Sequence, residues 1–238
     1  VRYTKLHRNS VRTDGSNATS YSANFATPWF AASYQINPAH MLYASYGQGV
    51  ESEVVANLPR YANAGAVLPT LKSKQFELGI KGNLDHLRWS AAYFNISRPV
   101  SGDFGDCDVD GSCIRQIDGT AKHSGFEFTV ATPAASASQP WHMDAGVTIL
   151  NAKRQGSIDA SQNGLRPTNV PNWILRLNGS YKIAAVPGLL LRANLSHEGK
   201  RAVLPDNSLM LPAWTRLDLG ASYEAHIGQT KTTWFLGV

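Results

Sequence analysis

The sequence is short of charge, which narrows the class of protein. Asp, Glu, Lys and Arg make up 16% of the 238 residues, whereas soluble domains carry about a quarter. Hydrophobic residues nevertheless reach only 43%. No apolar run approaches the ~18 residues that a membrane helix requires. Because only helices and closed barrels satisfy the backbone in lipid, a membrane protein with this composition has to be a β-barrel.

Cysteine is nearly absent as well. The two cysteines, Cys107 and Cys113, lie in one loop rich in Asp and Gly. Cysteines this close, in a chain with no other thiol, predict a disulfide formed in an oxidising compartment. Two free thiols in a reducing cytosol are the alternative. With no histidine nearby, two thiols are too few ligands for zinc, so no metal site is predicted from them.

The chain also lacks a clustered basic patch and a helical period. Its net charge is +5, but the Lys and Arg residues are scattered singly along the sequence. Scattered cations argue against nucleic acid as a partner. No segment repeats its apolar residues with a 3.6-residue period, which argues against alternating strands and helices.

Alternation with a period of two is the pattern that is present. In residues 211–223, LPAWTRLDLGASY, Leu217 and Leu219 fall on one side and Arg216 and Asp218 on the other. A soluble sheet would bury the leucines in a core, whereas a transmembrane barrel strand would turn them to lipid and the charges to the lumen. One strand does not separate these alternatives.

Residues 173–182 separate them better. Trp173 and Tyr181 close the two ends of an apolar face that also holds Leu175 and Leu177. At ~3.3 Å per residue the two aromatic residues are ~26 Å apart. With a strand tilt of ~40° this spans ~20 Å of height, close to the ~25 Å apolar band between the aromatic girdles of an outer-membrane barrel.

Short and long connections alternate along the chain. Short turns are predicted at residues 37–40, where Asn-Pro interrupts the alternation, and at residues 83–86. Long connections are predicted at residues 9–22, 51–73, 99–117, 151–166 and 199–211. This alternation is typical of an up-and-down barrel with turns at one membrane face and loops at the other.

Residues 87–98 are apolar on both faces in part, so their orientation is weakly specified. The pattern favours Ala92, Phe94 and Ile96 on the outward face.

Six stretches, in order, resemble a known family. They are LYASYGQGVESE (42–53), KSKQFELGIKG (72–82), HSGFEFTV (123–130), RPTNVPNWILRLNGSY (166–181), HEGKRAVLPDNSLMLPAWTRLDLGASY (197–223) and TTWFLGV (232–238). Together they resemble the C-terminal half of the barrel of TonB-dependent siderophore receptors.

The resemblance implies an all-β fold, an antiparallel up-and-down transmembrane β-barrel of about 22 strands, with short periplasmic turns and long extracellular loops. It implies an integral protein of the cell outer membrane of a Gram-negative bacterium. A ferric siderophore would be the ligand, outer-membrane lipid would surround the barrel, and TonB would deliver energy through an N-terminal plug. No further cofactor is implied.

The chain departs from the family pattern in its length. It holds about eleven strands, with no plug, no TonB box and no terminal aromatic residue or last strand after Val238. We therefore expect a piece of a longer receptor, in which residues 1–238 form one partial barrel domain.

In such a barrel two groups of side chains would meet the interior. Lumen-facing positions are expected for Glu77, Lys81, Glu127, Arg176, Arg192, Arg216 and Asp218. We favour the interpretation that these residues belong to the barrel wall and pair with each other and with the plug. The alternative is that they line a path for the substrate. Ligand contacts are expected nearer the loops, at Tyr46, Arg115, Lys200, Arg201 and Trp214. Aromatic and cationic side chains suit an anionic or hydroxamate-type iron chelate.

Catalytic and calcium sites are not predicted. Asp106, Asp108 and Asp110 match the first half of a calcium loop, but Ile117 stands where a bidentate Glu is required. Ser196 and His197 are adjacent, so on a strand they point to opposite faces and do not form a nucleophile pair. A passive outer-membrane porin and a soluble β-sandwich binding module are the alternatives to a receptor.

Overall fold

The computed structural model describes residues 1–11, 15–16, 19–136 and 138–238, and most of them are in β-strands. In chain order the strands are β1 (Arg2–Ser10), β2 (Thr19–Thr27), β3 (Trp29–Asn37), β4 (His40–Glu51), β5 (Leu71–Leu84), β6 (Leu87–Gly105), β7 (Cys113–Ala131), β8 (Trp141–Gln155), β9 (Trp173–Lys182), β10 (Leu189–Glu198), β11 (Arg201–Ala202), β12 (Met210–Leu211), β13 (Trp214–Ile227) and β14 (Thr230–Gly237). Among these residues no helix has the length and apolar character to cross a membrane.

One open antiparallel sheet dominates the structure. Its ten strands follow the order β14-β13-β10-β9-β8-β7-β6-β5-β4-β3. Each strand pairs with its neighbour in the chain, apart from the small β11–β12 pair in the connection from β10 to β13. This is the predicted up-and-down topology, and a single sheet is not the pair of packed sheets that a β-sandwich requires.

A proline separates the first two strands from the main sheet. Strands β2 and β3 flank Pro28; β3 pairs with β4, whereas β2 pairs with β1. The Pro28 carbonyl accepts a hydrogen bond from the Gln48 amide (3.1 Å) and so links the two parts. Counting β2 and β3 as one strand and adding β1 to the 10-stranded sheet gives eleven strands, which confirms the predicted number.

The connections separate into two rims. The short-turn rim holds residues 38–39, 85–86, 132–136, 138–140, 183–188 and 228–229. The long-connection rim holds residues 11, 15–16, 52–70, 106–112, 156–172 and 199–213. The predicted loop 9–22 falls partly on residues 12–14 and 17–18, outside the described residues, and strand β2 already begins at Thr19.

Register divides the sheet into an apolar face and a polar face, because directly opposed residues of antiparallel strands share a face. On the apolar face Leu195 is opposed by Leu177 and by Leu217. Aromatic residues mark both ends of that face. The rings of Tyr93 and Phe126 lie 5.3 Å apart toward the long-connection rim, and those of Tyr223 and Trp234 lie 5.9 Å apart toward the short-turn rim.

Strand β6 faces the other way from the prediction. Ala91 is opposed by Phe128 and Tyr93 by Phe126, so these residues of β6 lie on the apolar face. Ala92, Phe94 and Ile96 are therefore on the polar face. The prediction failed because β6 has apolar residues on both sides, and only its pairing with β7 decides which side meets the apolar face.

The predicted loop 99–117 is mostly strand. Strands β6 and β7 are each 19 residues long and continue the hairpin up to Gly105 and Cys113. Only residues 106–112 form the connection. The ladder shifts register between Pro99 and Ser101, where a proline cannot donate a ladder hydrogen bond. The hairpin therefore stands above the neighbouring strands.

The buried apolar core lies at the long-connection rim and not in the sheet. Val55 and Cys113 are fully buried, and Tyr61 and Leu68 nearly so. These residues join the 52–70 connection to the β6–β7 hairpin. The amide of Cys113 donates to the Arg60 carbonyl (3.0 Å). The connection is therefore a packed element, although its sequence shows no regular period.

Candidate ligand-binding face and rim

All seven residues predicted to face the lumen share the polar face. Ladder partners place them in rows: Arg176 and Arg216 are both opposed to Ser196, and Arg192 is opposed to Gly220. The other four members, Glu77, Lys81, Glu127 and Asp218, belong to the same face through β4, β6 and β10. The face is thus rich in both charge signs, opposite to a face of aliphatic and aromatic residues.

A carboxylate between two arginines lies where β9, β10 and β13 approach the long-connection rim. Glu198 is 18% exposed at its side chain. Its Oε2 accepts from Arg201 Nη1 (3.2 Å), and its Oε1 is 3.7 Å from Arg176 Nη2. Trp214 is directly opposed to Glu198 in the ladder. Two cations and an indole therefore meet at one acidic residue on the polar face.

A polar row crosses the sheet four residues closer to the short-turn rim than Glu198. Asp218, Asn194, Asn178 and Asp144 are opposed in turn on four adjacent strands. Asn178 Nδ2 donates to Asp144 Oδ2 (2.6 Å). Asp218 in turn accepts from Arg216, with Nε at 2.8 Å. Arg216 is neutralised by a neighbour on its own strand, and its side chain is 69% exposed.

A second charged group lies on β4, β5 and β7. Tyr43 Oη donates to Glu77 Oε1 (2.6 Å), and Lys81 Nζ stands 4.6 Å from the centre of the Tyr43 ring. The ring lies across Gly79, where a Cβ would approach it to 2.6 Å. Glu127 is in the same row. A glycine here lets an aromatic ring lie flat between an anion and a cation.

Arg115 is the centre of a network at the long-connection rim. Its Nε donates to Glu53 Oε1 (2.5 Å), its Nη1 to Asp103 Oδ1 (2.8 Å) and its Nη2 to Ser101 Oγ (3.0 Å). Tyr61 Oη donates to Asp103 as well (3.1 Å). Burial would lower the Arg115 pKa, but the hydrogen bonds to Glu53 and Asp103 outweigh it and hold that pKa above its ordinary value.

Two more charge pairs tie strands to this rim. Arg98 donates to both carboxylate oxygens of Glu51 (2.8 and 2.6 Å), and these bonds hold the Glu51 pKa below its ordinary value. Asp118, which is 3% exposed, accepts hydrogen bonds from Arg154 and from Ser157 Oγ. The second network fixes the start of the 156–172 connection against β7.

Cys107 and Cys113 are joined by a disulfide in the structure. Cys113 belongs to the buried core of the rim, and Cys107 packs against that core. The bridge closes the tip of the β6–β7 hairpin. In the part of the chain that the structure describes, no three His, Cys, Asp or Glu side chains gather as metal ligands.

The five residues expected to contact ligand do not form one group. Arg201 and Trp214 meet at Glu198, and Arg115 is engaged in the rim network. Lys200 is exposed in the connection after β10. Tyr46 stacks on Phe30, with ring centres 5.2 Å apart, and so lies on the apolar face. Their contact with a ligand stays a prediction, and the geometry favours Arg201 and Trp214.

Several residues of these networks were not singled out from the sequence. Glu198 forms a salt bridge with Arg201, and Glu53 and Asp103 form salt bridges with Arg115. The two arginines were predicted as ligand contacts, but the three carboxylates were not. The alternation of residues 189–198 already places Glu198 on the polar face at the loop end, which is a usable signal. The partners of Arg115 come from distant segments, so no local pattern indicates them.

Comparison with known proteins agrees with this geometry. The family model described as "TonB dependent receptor-like, beta-barrel" matches residues 1–238. Ferrichrome receptor FcuA of Yersinia enterocolitica is 28% identical over 208 residues, which are 87% of this chain and 26% of that protein. The chain therefore spans only a minor part of this relative's length.

Solved structures show the same fold at lower identity. BauA, the ferric preacinetobactin receptor of Acinetobacter baumannii, has a TM-score of 0.71 and 24% identity, covering 92% of this chain and 32% of BauA. The siderophore receptor PiuA of A. baumannii has a TM-score of 0.68 and 19% identity, covering 93% of this chain and 33% of PiuA.

The topology, the division into polar and apolar faces and the family match over the whole chain point to one conclusion. The chain belongs to the β-barrel family of TonB-dependent receptors.

Proposed function

We propose that this chain forms the C-terminal half of the barrel of an outer-membrane receptor that imports ferric siderophores with energy delivered through TonB. The family match over residues 1–238 carries the proposal. The apolar face, bounded by aromatic residues, suits contact with lipid, and the polar face suits the interior. The long-connection rim then lies outside the cell and the short-turn rim in the periplasm.

The ligand class follows from the polar face. Arg176, Arg201 and Arg216 are present near Trp214, and arginine binds carboxylate and similar oxygen donors through paired hydrogen bonds. A ferric chelate with anionic or hydroxamate oxygens fits this surface. The ferrichrome receptor among the relatives makes ferrichrome a first compound to test. Ferric citrate provides a second, more anionic compound.

The test is uptake of radiolabelled iron by a strain that lacks its own receptors and expresses the full-length receptor containing this chain. We expect uptake with at least one ferric siderophore and none after deletion of TonB. Substitution of both Arg176 and Arg216 by glutamine should lower uptake at limiting ligand about tenfold or more, since each lost charge-assisted hydrogen bond costs about 1.5–3 kcal/mol. Lys182→Gln, at the end of β9 next to the short-turn rim, is the control.

Two results would count against this function. Uptake that persists without TonB would favour the alternative of a passive porin. Binding and uptake that do not distinguish ferric siderophores from other small solutes would do the same.

A further inference from the structure

Three apolar side chains, Phe94, Leu150 and Ile174, form a patch on the polar face of the sheet. Phe94, Gly125 and Leu150 are directly opposed in turn on β6, β7 and β8. Ile174 of β9 is diagonal to Leu150 and is opposed to Glu198 of β10. All three apolar side chains are partly exposed. The patch therefore interrupts a face that is otherwise rich in charge, and the charged network at Glu198 borders it directly.

The patch lies at the upper end of the barrel wall, next to the long-connection rim. Phe94 follows Tyr93, whose ring contacts Phe126 at the aromatic boundary of the opposite face. The amide of Leu150 donates to the carbonyl of Asn172 (2.8 Å), the last residue of the 156–172 connection. A ligand that enters from the long-connection rim therefore reaches this depth before the lower part of the wall.

The aromatic rings of this part of the polar face lie against the sheet. A Cβ at Gly125 would come within 2.9 Å of Phe94 Cζ, and a Cβ at Gly47 would come within 2.9 Å of Trp29 Cδ1. Because the two glycines have no side chain, each ring lies across a neighbouring strand, and Trp29 is 64% exposed. Such a wall offers ring faces and no deep apolar pocket. It suits a planar aromatic group, which stacks on an exposed ring, better than an acyl chain, which needs a pocket.

The charges beside the patch give such a group an orientation. Ile174 is next to Glu198, which lies between Arg176 and Arg201. The Arg176 Nη2 atom is 3.7 Å from Glu198 Oε1, longer than a hydrogen bond, and the Arg176 side chain is 59% exposed. Arg176 can therefore donate to another oxygen. Glu127 is on β7, three strand spacings or ~14 Å from β10, so an anionic group is favoured on the β9–β10 side of the patch.

We propose that the ligand is a ferric chelate with aryl oxygen donors of the catecholate type, whose rings pack on Phe94, Leu150 and Ile174 and whose oxygens face Arg176 and Arg201. This rests on the proposed function, because it requires that the polar face encloses the ligand. A catecholate combines a flat apolar ring with anionic oxygens, the two properties that lie side by side on this wall. Ferrichrome, a hydroxamate, and ferric citrate, a carboxylate, have no aryl ring to place on the patch.

The test measures quenching of tryptophan fluorescence of the full-length receptor in detergent by three ferric complexes: those of a tris-catecholate siderophore, ferrichrome and citrate. We expect the catecholate to bind at least about tenfold more tightly than the other two. Phe94→Leu keeps an apolar side chain but removes the ring, and should weaken catecholate binding about fivefold. Leu150→Gln with Ile174→Gln should weaken it about tenfold. The control is Leu190→Gln, an apolar residue of the same face near the short-turn rim, which should leave binding unchanged.

Three results would overturn the proposal: wild-type binding of ferrichrome or ferric citrate as tight as that of the catecholate, catecholate binding that the variants leave unchanged, or an equal loss for all three complexes. The last would mean that the patch packs against another part of the full-length receptor. Uptake of the same complexes separates this proposal from the transport function. Catecholate binding without uptake would refute transport and leave the ligand assignment standing. Uptake of ferrichrome or ferric citrate alone would support transport and refute the assignment.

Discussion

Leu219 and Asn194 lie at nearly the same depth on neighbouring strands, but on opposite faces of the sheet. Leu219 is opposed to Ala193 on the apolar face, and Asn194 is opposed to Asp218 on the polar face. We expect Leu219→Arg to destabilise the membrane-inserted receptor by about 2–4 kcal/mol, because it places a cation in hydrocarbon near the midplane. Asn194→Arg should cost less than about 1 kcal/mol.

Urea unfolding of the two full-length variants in liposomes measures this difference. The wild type gives the reference free energy of unfolding, and protection from added protease shows that the Asn194 variant is inserted correctly. A larger loss for Asn194→Arg than for Leu219→Arg would mean that the two faces are reversed.

The face of the sheet on which a strand residue lies could be predicted from the sequence where the alternation is regular. The residues that it pairs with on other strands could not. The regular alternation around Arg216 and Asp218 predicts that they share one side of β13, and their ladder partners Ser196 and Asn194 lie on the polar face. That this face meets the lumen stays a prediction. Phe94 was placed on the wrong face because its neighbours are apolar on both sides, and pairing with Gly125 settles its orientation. Glu198 was passed over as a site residue because its two arginines come together only in the folded sheet.

Among the elements, the 52–70 connection and the β6–β7 hairpin depend on each other. Arg115 links them through Glu53 and Asp103. Arg115→Gln would leave two carboxylates facing each other without a counter-charge, and we expect local opening to become easier by roughly 1–2 kcal/mol. The effect is smaller than for a fully buried pair because the Arg115 side chain is 28% exposed.

Hydrogen exchange of the full-length receptor measures this opening. Amides of Tyr61 to Ala66 and of the β6–β7 hairpin above Pro99 should exchange faster in Arg115→Gln. Arg98→Gln is the control, since its pair with Glu51 is about half exposed and should matter less. Equal exchange in both variants would show that the buried core alone holds the two elements together.

The same elements show why a loop is hard to read from sequence. Residues 99–117 contain proline, glycine and aspartate, which predict a loop, yet most of them pair in register as a hairpin. Residues 52–70 show no period, yet Val55, Tyr61 and Leu68 among them are buried in the core of the rim. Both structures depend on contacts between distant segments, which no local pattern encodes.

On the scale of the whole molecule, the sheet is open and both of its edges lack a partner in the described chain. Strand β3 pairs only with β4, and β14 only with β13. Unpaired backbone groups cost several kcal/mol each in hydrocarbon. We therefore expect residues 1–238, expressed alone in a receptor-deleted strain, to give no uptake of labelled ferric siderophore above the empty-vector level.

The full-length receptor is the positive control, and immunoblotting of membrane fractions shows whether the shorter chain is present. Uptake by residues 1–238 alone would contradict the expectation. A closed, monomeric and water-soluble form of the chain would contradict it equally.

The ladders of the main sheet shift register at two places in the described residues, between Gln35 and Asn37 and between Pro99 and Ser101, and both lie near a rim. Gain or loss of one residue inside the wall would exchange the lipid and water sides of the rest of that strand. The same change in residues 52–70 or 156–172 leaves every strand pair intact. Related receptors can therefore differ in the length of these connections, whereas their strands keep a constant length. A change of ligand is then expected to come from changes in the connections and not in the strands.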